Sequence, residues 1–376
     1  MKLILLIILI FQFSCKEKNP HGFDRGLKPI SIPESTLSAS SCQECHEEQY
    51  KDWKISRHRA AFTNSLYTES HKREPLSWCT NCHAPLMKAG GDVENIKDRL
   101  YTEEGVSCIV CHVREGKILV AKLPKKISEH RYIEAAYMQS SEFCASCHQF
   151  PFPVGTGMEK NKKFHLSTQA MQNTYEEWKE SYYADKKTCQ SCHMPEAKVG
   201  KYSYKSHSFL GGHSKSYLSE TFEAEFFSVE ENRLLLRLKA KQIGHAFPTG
   251  DLFRTLEIRL LDKNKQEIWT HKLRYKYIQN PEYPKNPNIS AKKLESKEIL
   301  LPPYANEDST YEKSFALSRS DLDKIRYYRL LMVYTHEKNS PGNEVPHEDR
   351  ELLFLENEFK LQKNTKEDVS EPKSEG

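Results

Sequence analysis

Five short stretches constrain this chain more than anything else in it: CQECH (42–46), CTNCH (79–83), CIVCH (108–112), CASCH (144–148) and CQSCH (189–193). Ten of the 11 cysteines form these C-x-x-C pairs, and each pair is followed at once by histidine. With 16 histidines in 376 residues, five such successes by chance have a probability on the order of 10⁻⁷. A disulfide scaffold does not need that histidine. Zinc ribbons use C-x-x-C pairs without it, and a thioredoxin-like redox pair occurs once, at a helix start. C-x-x-C-H is the attachment signature of c-type haem. Two thiols add across the vinyl groups of one porphyrin, and the next residue reaches the iron as proximal ligand. The sequence therefore predicts five covalent haems c, bound through Cys42 and Cys45, Cys79 and Cys82, Cys108 and Cys111, Cys144 and Cys147, and Cys189 and Cys192. The proximal ligands are expected to be His46, His83, His112, His148 and His193.

The apolar share of 38% is lean for a chain of this length, and the charged share is 29%. Five porphyrins are large apolar bodies that can stand in for side chains as core material. Their propionates also carry charge. The formal +4 of the polypeptide falls to roughly −6 if every propionate ionises, so no nucleic-acid partner is expected.

Residues 1–14 read MKLILLIILIFQFS, a basic start and a short apolar run, which predicts a signal peptide. Cys15 follows, then an abrupt rise in polarity, which resembles a bacterial lipoprotein cleavage site with the lipid on Cys15. An ordinary signal peptide with an incidental cysteine is the alternative. Either way the expected location is outside the cytoplasm, periplasmic or anchored to the membrane. Residues 15–41 are expected to be a linker. No later segment approaches the ~20 apolar residues of a membrane helix.

The sixth position of each iron decides function. A second histidine suits electron transfer, whereas an open position allows a small molecule to bind and react. Residues 44–65 lack Pro and Gly and read as one helix with His46, Tyr50 and Trp53 on one face. His58, about 18 Å further along such a helix, could ligate only a haem other than the one held by Cys42 and Cys45. His207 and His213 flank Gly-Gly in SYKSHSFLGGH (203–213), a loop suited to hugging flat rings. His130, ahead of the fourth motif, and His245, in the shaped loop GHAFPTGD (244–251), complete the candidate distal ligands. His71 and His165 lie in polar, Lys-rich settings and rank lower. His271 and His336 fall in expected strands, and His21 and His347 in expected exposed segments. YKDWKISRH (50–58) is echoed by YEEWKESYY (175–183), which suggests duplicated helical units whose Tyr and Trp pack against porphyrins.

After residue 215 there is no cysteine and the pattern alternates. Strands are expected at 221–230, 233–241, 255–261, 267–277, 310–318, 326–336 and 351–361, with a Pro-rich loop over 281–303. Seven short strands predict an immunoglobulin-like β-sandwich. The expected organisation is α+β and multidomain: a mostly helical pentahaem cytochrome domain (42–214), the sandwich (215–361) and a charged, disordered tail (362–376).

The stretches CQECHEEQYKDWKISRH, WCTNCHAP, GVSCIVCH, SEFCASCH, YEEWKES…CQSCHMP and HSFLGGH resemble exported multihaem cytochromes related to cytochrome c-554 and, more distantly, hydroxylamine oxidoreductases. The resemblance implies closely stacked haems in a mostly helical domain with histidine ligation across segments, which carries His58, His207 and His213 over as distal ligands. It also implies that the GHAFPTG loop opens an accessory β-domain. Relatives include carriers and enzymes acting on small nitrogen or sulfur compounds. No C-x-x-C-K site occurs here. The expected function is electron transfer between redox partner proteins, the alternative an oxidoreductase with one open haem.

Overall fold

The computed structural model describes residues 38–363, apart from 74–75, 88–95, 115, 124–129, 155–164, 231, 251, 284, 287–288 and 335–346. The expected signal peptide, Cys15, most of the expected linker and most of the expected tail lie outside the described residues.

In the first half the helices are short: Glu47–Lys54, Ser65–Arg73, Ser77–His83, Ile96–Glu104, Cys108–His112, Ser141–His148, Thr174–Lys179, Cys189–His193 and Lys215–Thr221 among them. Among the described residues the longest have nine residues, too few to stand without tertiary support. This half is less helical than expected. Short strands connect the motifs: β1 (Val113–Arg114), β2 (Lys117–Val120), β3 (Tyr132–Glu134), β4 (Phe150–Val154), β5 (His165–Gln172), β6 (Glu196–Val199) and β7 (Tyr202–Lys205). Its own apolar cluster is small, Leu76 and Trp78 with Cys79 and Phe150 packed against them.

The expected helix over 44–65 is interrupted. It ends at Lys54, because the chain beyond is recruited sideways: His58 O accepts the Val106 N–H at 2.9 Å. Gly105 makes this approach possible. Its φ is +57°, and a Cβ there would sit 2.7 Å from His58 O, so a side chain is excluded.

The second half is built from β8 (Phe222–Glu230), β9 (Arg233–Lys241), β10 (Thr255–Leu261), β11 (Glu267–Gln279), β12 (Lys292–Glu298), β13 (Asp308–Ala316), β14 (Tyr327–Val333), β15 (Glu351–Glu358) and β16 (Leu361–Lys363). Five strands form one sheet in the order β12-β11-β10-β14-β15, and four form another in the order β13-β9-β8-β16. Alternation does the expected work: Leu234, Leu236, Leu238 and Ala240 of β9 are buried while their neighbours face out. They share one apolar cluster with Leu256, Ile258, Leu260, Leu330 and Met332 of the other sheet. The chain is thus a mixed α+β protein. One strand, β12, occupies part of the expected Pro-rich loop. KKLESKE is exposed along nearly its whole length, so it lacks the apolar alternation that marks a half-buried strand. It is a charged edge of the kind that discourages edge-to-edge association.

Candidate haem sites

Each described motif is wound so that its residues converge. Cysteines three apart in a helical turn share a face, and the histidine one residue later stays on it. Four of the five motifs close a short helix at their histidine: His83, His112, His148 and His193. The first differs, with His46 at the N-terminal cap of Glu47–Lys54. No disulfide joins any of the ten cysteines. The Cys42 and Cys108 thiols lie close enough to bear on each other's protonation, as do those of Cys144 and Cys189. Motif one therefore lies against motif three, and motif four against motif five.

The two pairs are built alike. Trp53 Nε1 donates to Val106 O at 2.9 Å, two residues before the third motif. Trp178 Nε1 donates to Lys187 O at 2.9 Å, two residues before the fifth. The Val106 N–H reaches His58 O at 2.9 Å, and the Lys187 N–H reaches Tyr183 O, the equivalent position, at 3.0 Å. Tyr50–Trp53 and Tyr175–Trp178 have ring centres 5.6 Å apart in both copies. The repeated Tyr-Trp-Lys-Ser pattern thus marks a duplicated unit whose indole pins one motif of a pair to the other.

Three motif histidines face a second histidine at one common spacing. Ring centres are 6.2 Å apart for His148–His58, His112–His207 and His193–His245. A metal–imidazole bond is about 2 Å and a ring centre lies about 1.1 Å behind its nitrogen, so two imidazoles across one iron have centres about 6.2 Å apart. Tautomers agree. Backbone carbonyls can only accept, so Nδ1 donates to Leu119 O from His112 (3.1 Å), to Lys205 O from His207 (2.8 Å), to Leu210 O from His193 (2.5 Å) and to Ala246 O from His245 (2.8 Å). That leaves Nε2 with its lone pair for a metal. His148 Nδ1 lies 3.0 Å from the Gln172 side-chain amide. Burial, helped by neighbouring histidines, lowers His58 to about 4 and His148 to about 3. Burial likewise depresses His112, His193, His207 and His245. All six rings are therefore neutral near pH 7, the form that ligates. This donor set fits haem c.

The other expected ligands are placed differently. His46 sits near enough to His112 and His207 for its charge to bear on both. His130 is exposed and meets the edge of Tyr132. His213 stacks on Tyr334 at 4.1 Å and accepts at Nδ1 from the Arg57 guanidinium at 2.8 Å, which puts its proton on Nε2. Burial, then Arg57 and Arg254, lower it to about 2. At the second motif, His83 Nδ1 donates to Ala61 O at 2.6 Å, and the Tyr67 ring stacks on its face at 4.0 Å. Behind lies His71, stacked on the same Tyr67 at 5.3 Å. The Tyr67 hydroxyl and His71 Nδ1 are buried with no hydrogen-bond partner among the described residues. Sequence reasoning ranked His71 low because its neighbours are polar, and nothing in the local pattern singled out Tyr67.

The loop carrying His245 is held from below. Buried Glu177, beside Trp178, accepts the Thr249 hydroxyl at 2.6 Å and the Tyr275 hydroxyl at 2.8 Å. Phe247 and Leu300 exchange backbone hydrogen bonds at 2.8 Å each way.

Residues 41–113, spanning the first three motifs, match the family model described as cytochrome c554 and c-prime. Among solved structures the chain is similar to a penta-heme cytochrome c552 from Thermochromatium tepidum, with a TM-score of 0.61 at 18% identity over 86% of this chain and 98% of that one. At that identity the likeness is one of fold. No curated protein matches the sequence. The family match over residues 41–113 and the likeness of fold both support a multihaem c-type cytochrome.

Proposed function

We propose that this protein is an electron carrier outside the cytoplasm that passes electrons among five haems c, one on each C-x-x-C-H motif, between redox partner proteins. The observation that carries the reading is the common 6.2 Å spacing of His148–His58, His112–His207 and His193–His245, combined with four Nδ1–carbonyl bonds that free Nε2. Six-coordinate, bis-histidine irons exchange electrons with little rearrangement and offer no site for substrate. Motif one against three, and four against five, would set the haems held by each pair close to one another as electron relays. The penta-heme relative supports the count of five. The haem chemistry belongs to residues 42–214, and the signal peptide with lipidated Cys15 provides export and anchorage. The order β12-β11-β10-β14-β15 facing β13-β9-β8 supports an immunoglobulin-like sandwich, since it follows the C″C′CFG and ABE strands of that fold.

The test is the matured protein itself. Intact mass is expected to show five haems, and electron paramagnetic resonance low-spin ferric signals from the three paired irons. A colourless chain, or high-spin iron at all of them, overturns the reading.

A second reading concerns one haem. The unpartnered Tyr67 hydroxyl and His71 Nδ1 beside His83 favour an open iron on the second motif, where a small nitrogen or sulfur compound could be held by two polar groups. Carbon monoxide binding to a single haem of the reduced protein is the expected sign. No binding excludes it.

A further inference from the structure

Among the described residues Arg254 is a cation without an anion. It enters just ahead of β10, and its guanidinium folds back under the loop 244–251, where Nη1 donates to Thr249 O at 3.1 Å. The fold makes room for it deliberately: Gly250 has φ +98°, and a Cβ there would stand 2.7 Å from Nη1 and 3.0 Å from Cζ. Nε is buried with no hydrogen-bond partner, and no ion pair to Arg254 occurs among the described residues. The buried carboxylate beneath this loop, Glu177 of the helix Thr174–Lys179, is engaged with Thr249 and Tyr275. A half-buried guanidinium whose Nε has no partner is under-satisfied, and its planar fork is shaped to take a carboxylate with two parallel hydrogen bonds. Its charge also bears on His148 and His245, one histidine from each of two haem positions proposed above.

We infer that Arg254 binds a haem propionate, that of the haem on the fourth motif or that of the haem on the fifth, and so tunes the potential of that haem. The inference rests on the proposed attachment of haems at these motifs. A cation beside the porphyrin stabilises the reduced state, which carries one more negative charge, so removing it lowers the potential.

The experiment is a redox titration of the full, matured chain. In Arg254→Gln, one haem is expected to show at least a tenfold lower reduced-to-oxidised ratio at a fixed potential, 59 mV for a one-electron couple. Arg254→Lys, which keeps the charge, is expected to recover most of it. The same change in a His58→Ala or a His245→Ala background, each marking its own haem by spin state, tells which propionate is bound. Midpoints unchanged in a variant that carries the full haem complement overturn the inference. If Arg254→Gln does not accumulate, Gly250→Ala decides. Its Cβ displaces the guanidinium without removing the charge from the chain, and a downward shift of the same haem is expected. An unshifted titration there overturns the inference equally. A wild-type chain lacking haem at motifs four and five would instead refute the five-haem reading, and intact mass separates the two failures.

Discussion

Motifs one and three around Trp53, and motifs four and five around Trp178, are two copies of one hydrogen-bond plan. They differ in what the segment after the tryptophan carries and in where it goes. In the first copy that position is His58, whose ring faces His148 of the second copy at 6.2 Å. In the second it is Tyr183, whose hydroxyl donates to Glu307 O in the sheet half at 2.9 Å. Each copy thus reaches forward to the next region of the molecule. The sheet half closes the series by returning His245 to the fifth motif. The first copy also carries an insertion. Lys187 follows Tyr183 within one turn, whereas residues 59–105, with the whole second motif, separate His58 from Val106. The motif in that insertion is the one whose histidine is covered by tyrosine.

The comparison breaks most easily at the indoles. Trp53 is 4% exposed, and Trp53→Ala is expected to cost about 3–5 kcal/mol in chemical denaturation. Trp178, which is half-buried, should cost clearly less. Equal losses would mean that the two indoles do not differ in the support they give. Gly105→Ala tests the insertion specifically, since the second copy closes its turn without a comparable glycine. Left-handed strain is worth about 1–2 kcal/mol, with the clash against His58 O in addition. Loss of the spin signature of the haem on the fourth motif should accompany it, because His58 is carried by that turn.

Much of this was legible beforehand. The motifs declare themselves because thioether chemistry fixes their spacing, and the echo around Trp53 and Trp178 was visible because both copies need the same indole bond. The alternating strands were found because their faces are unequal. What escaped notice depends on distant partners. Nothing within 44–65 says that the helix stops at Lys54, since the cause is Val106 and Gly105 across the fold. β12 was missed because an edge strand of Lys, Ser and Glu has no apolar face. Tyr67 and Arg254 gain meaning only from what the fold places around them.

The ligand segments sharpen the contrast at smaller cost to stability. His58→Ala is expected to turn one low-spin haem high-spin, read by electron paramagnetic resonance. Tyr183→Phe, at the matching position, should leave every haem unchanged and cost about 1 kcal/mol, a single hydrogen bond. His245→Ala should change a different haem from His58→Ala, so the double variant should show two high-spin irons. One high-spin iron in the double variant would mean that both histidines serve the same haem.

The smallest effect is carried by protons. Each copy keeps a buried glutamate: Glu104, accepting from Ser38 Oγ at 2.7 Å and the Ala39 N–H at 2.9 Å, and Glu177 under the His245 loop. Burial raises both above the ordinary carboxylate range, against the hydrogen bonds that lower them. A carboxyl with a raised folded pKa binds its proton more tightly in the native state, so native stability is lost as pH rises. The loss starts near the unfolded value of about 4.3 and ends above the folded one. In urea titrations across that window, Glu104→Gln and Glu177→Gln are each expected to flatten the decline, because glutamine keeps the shape without the proton equilibrium. The effects should add, since the two sites share no hydrogen-bond partner. A double variant that declines with pH as steeply as the parent would show that neither carboxyl titrates differently on folding.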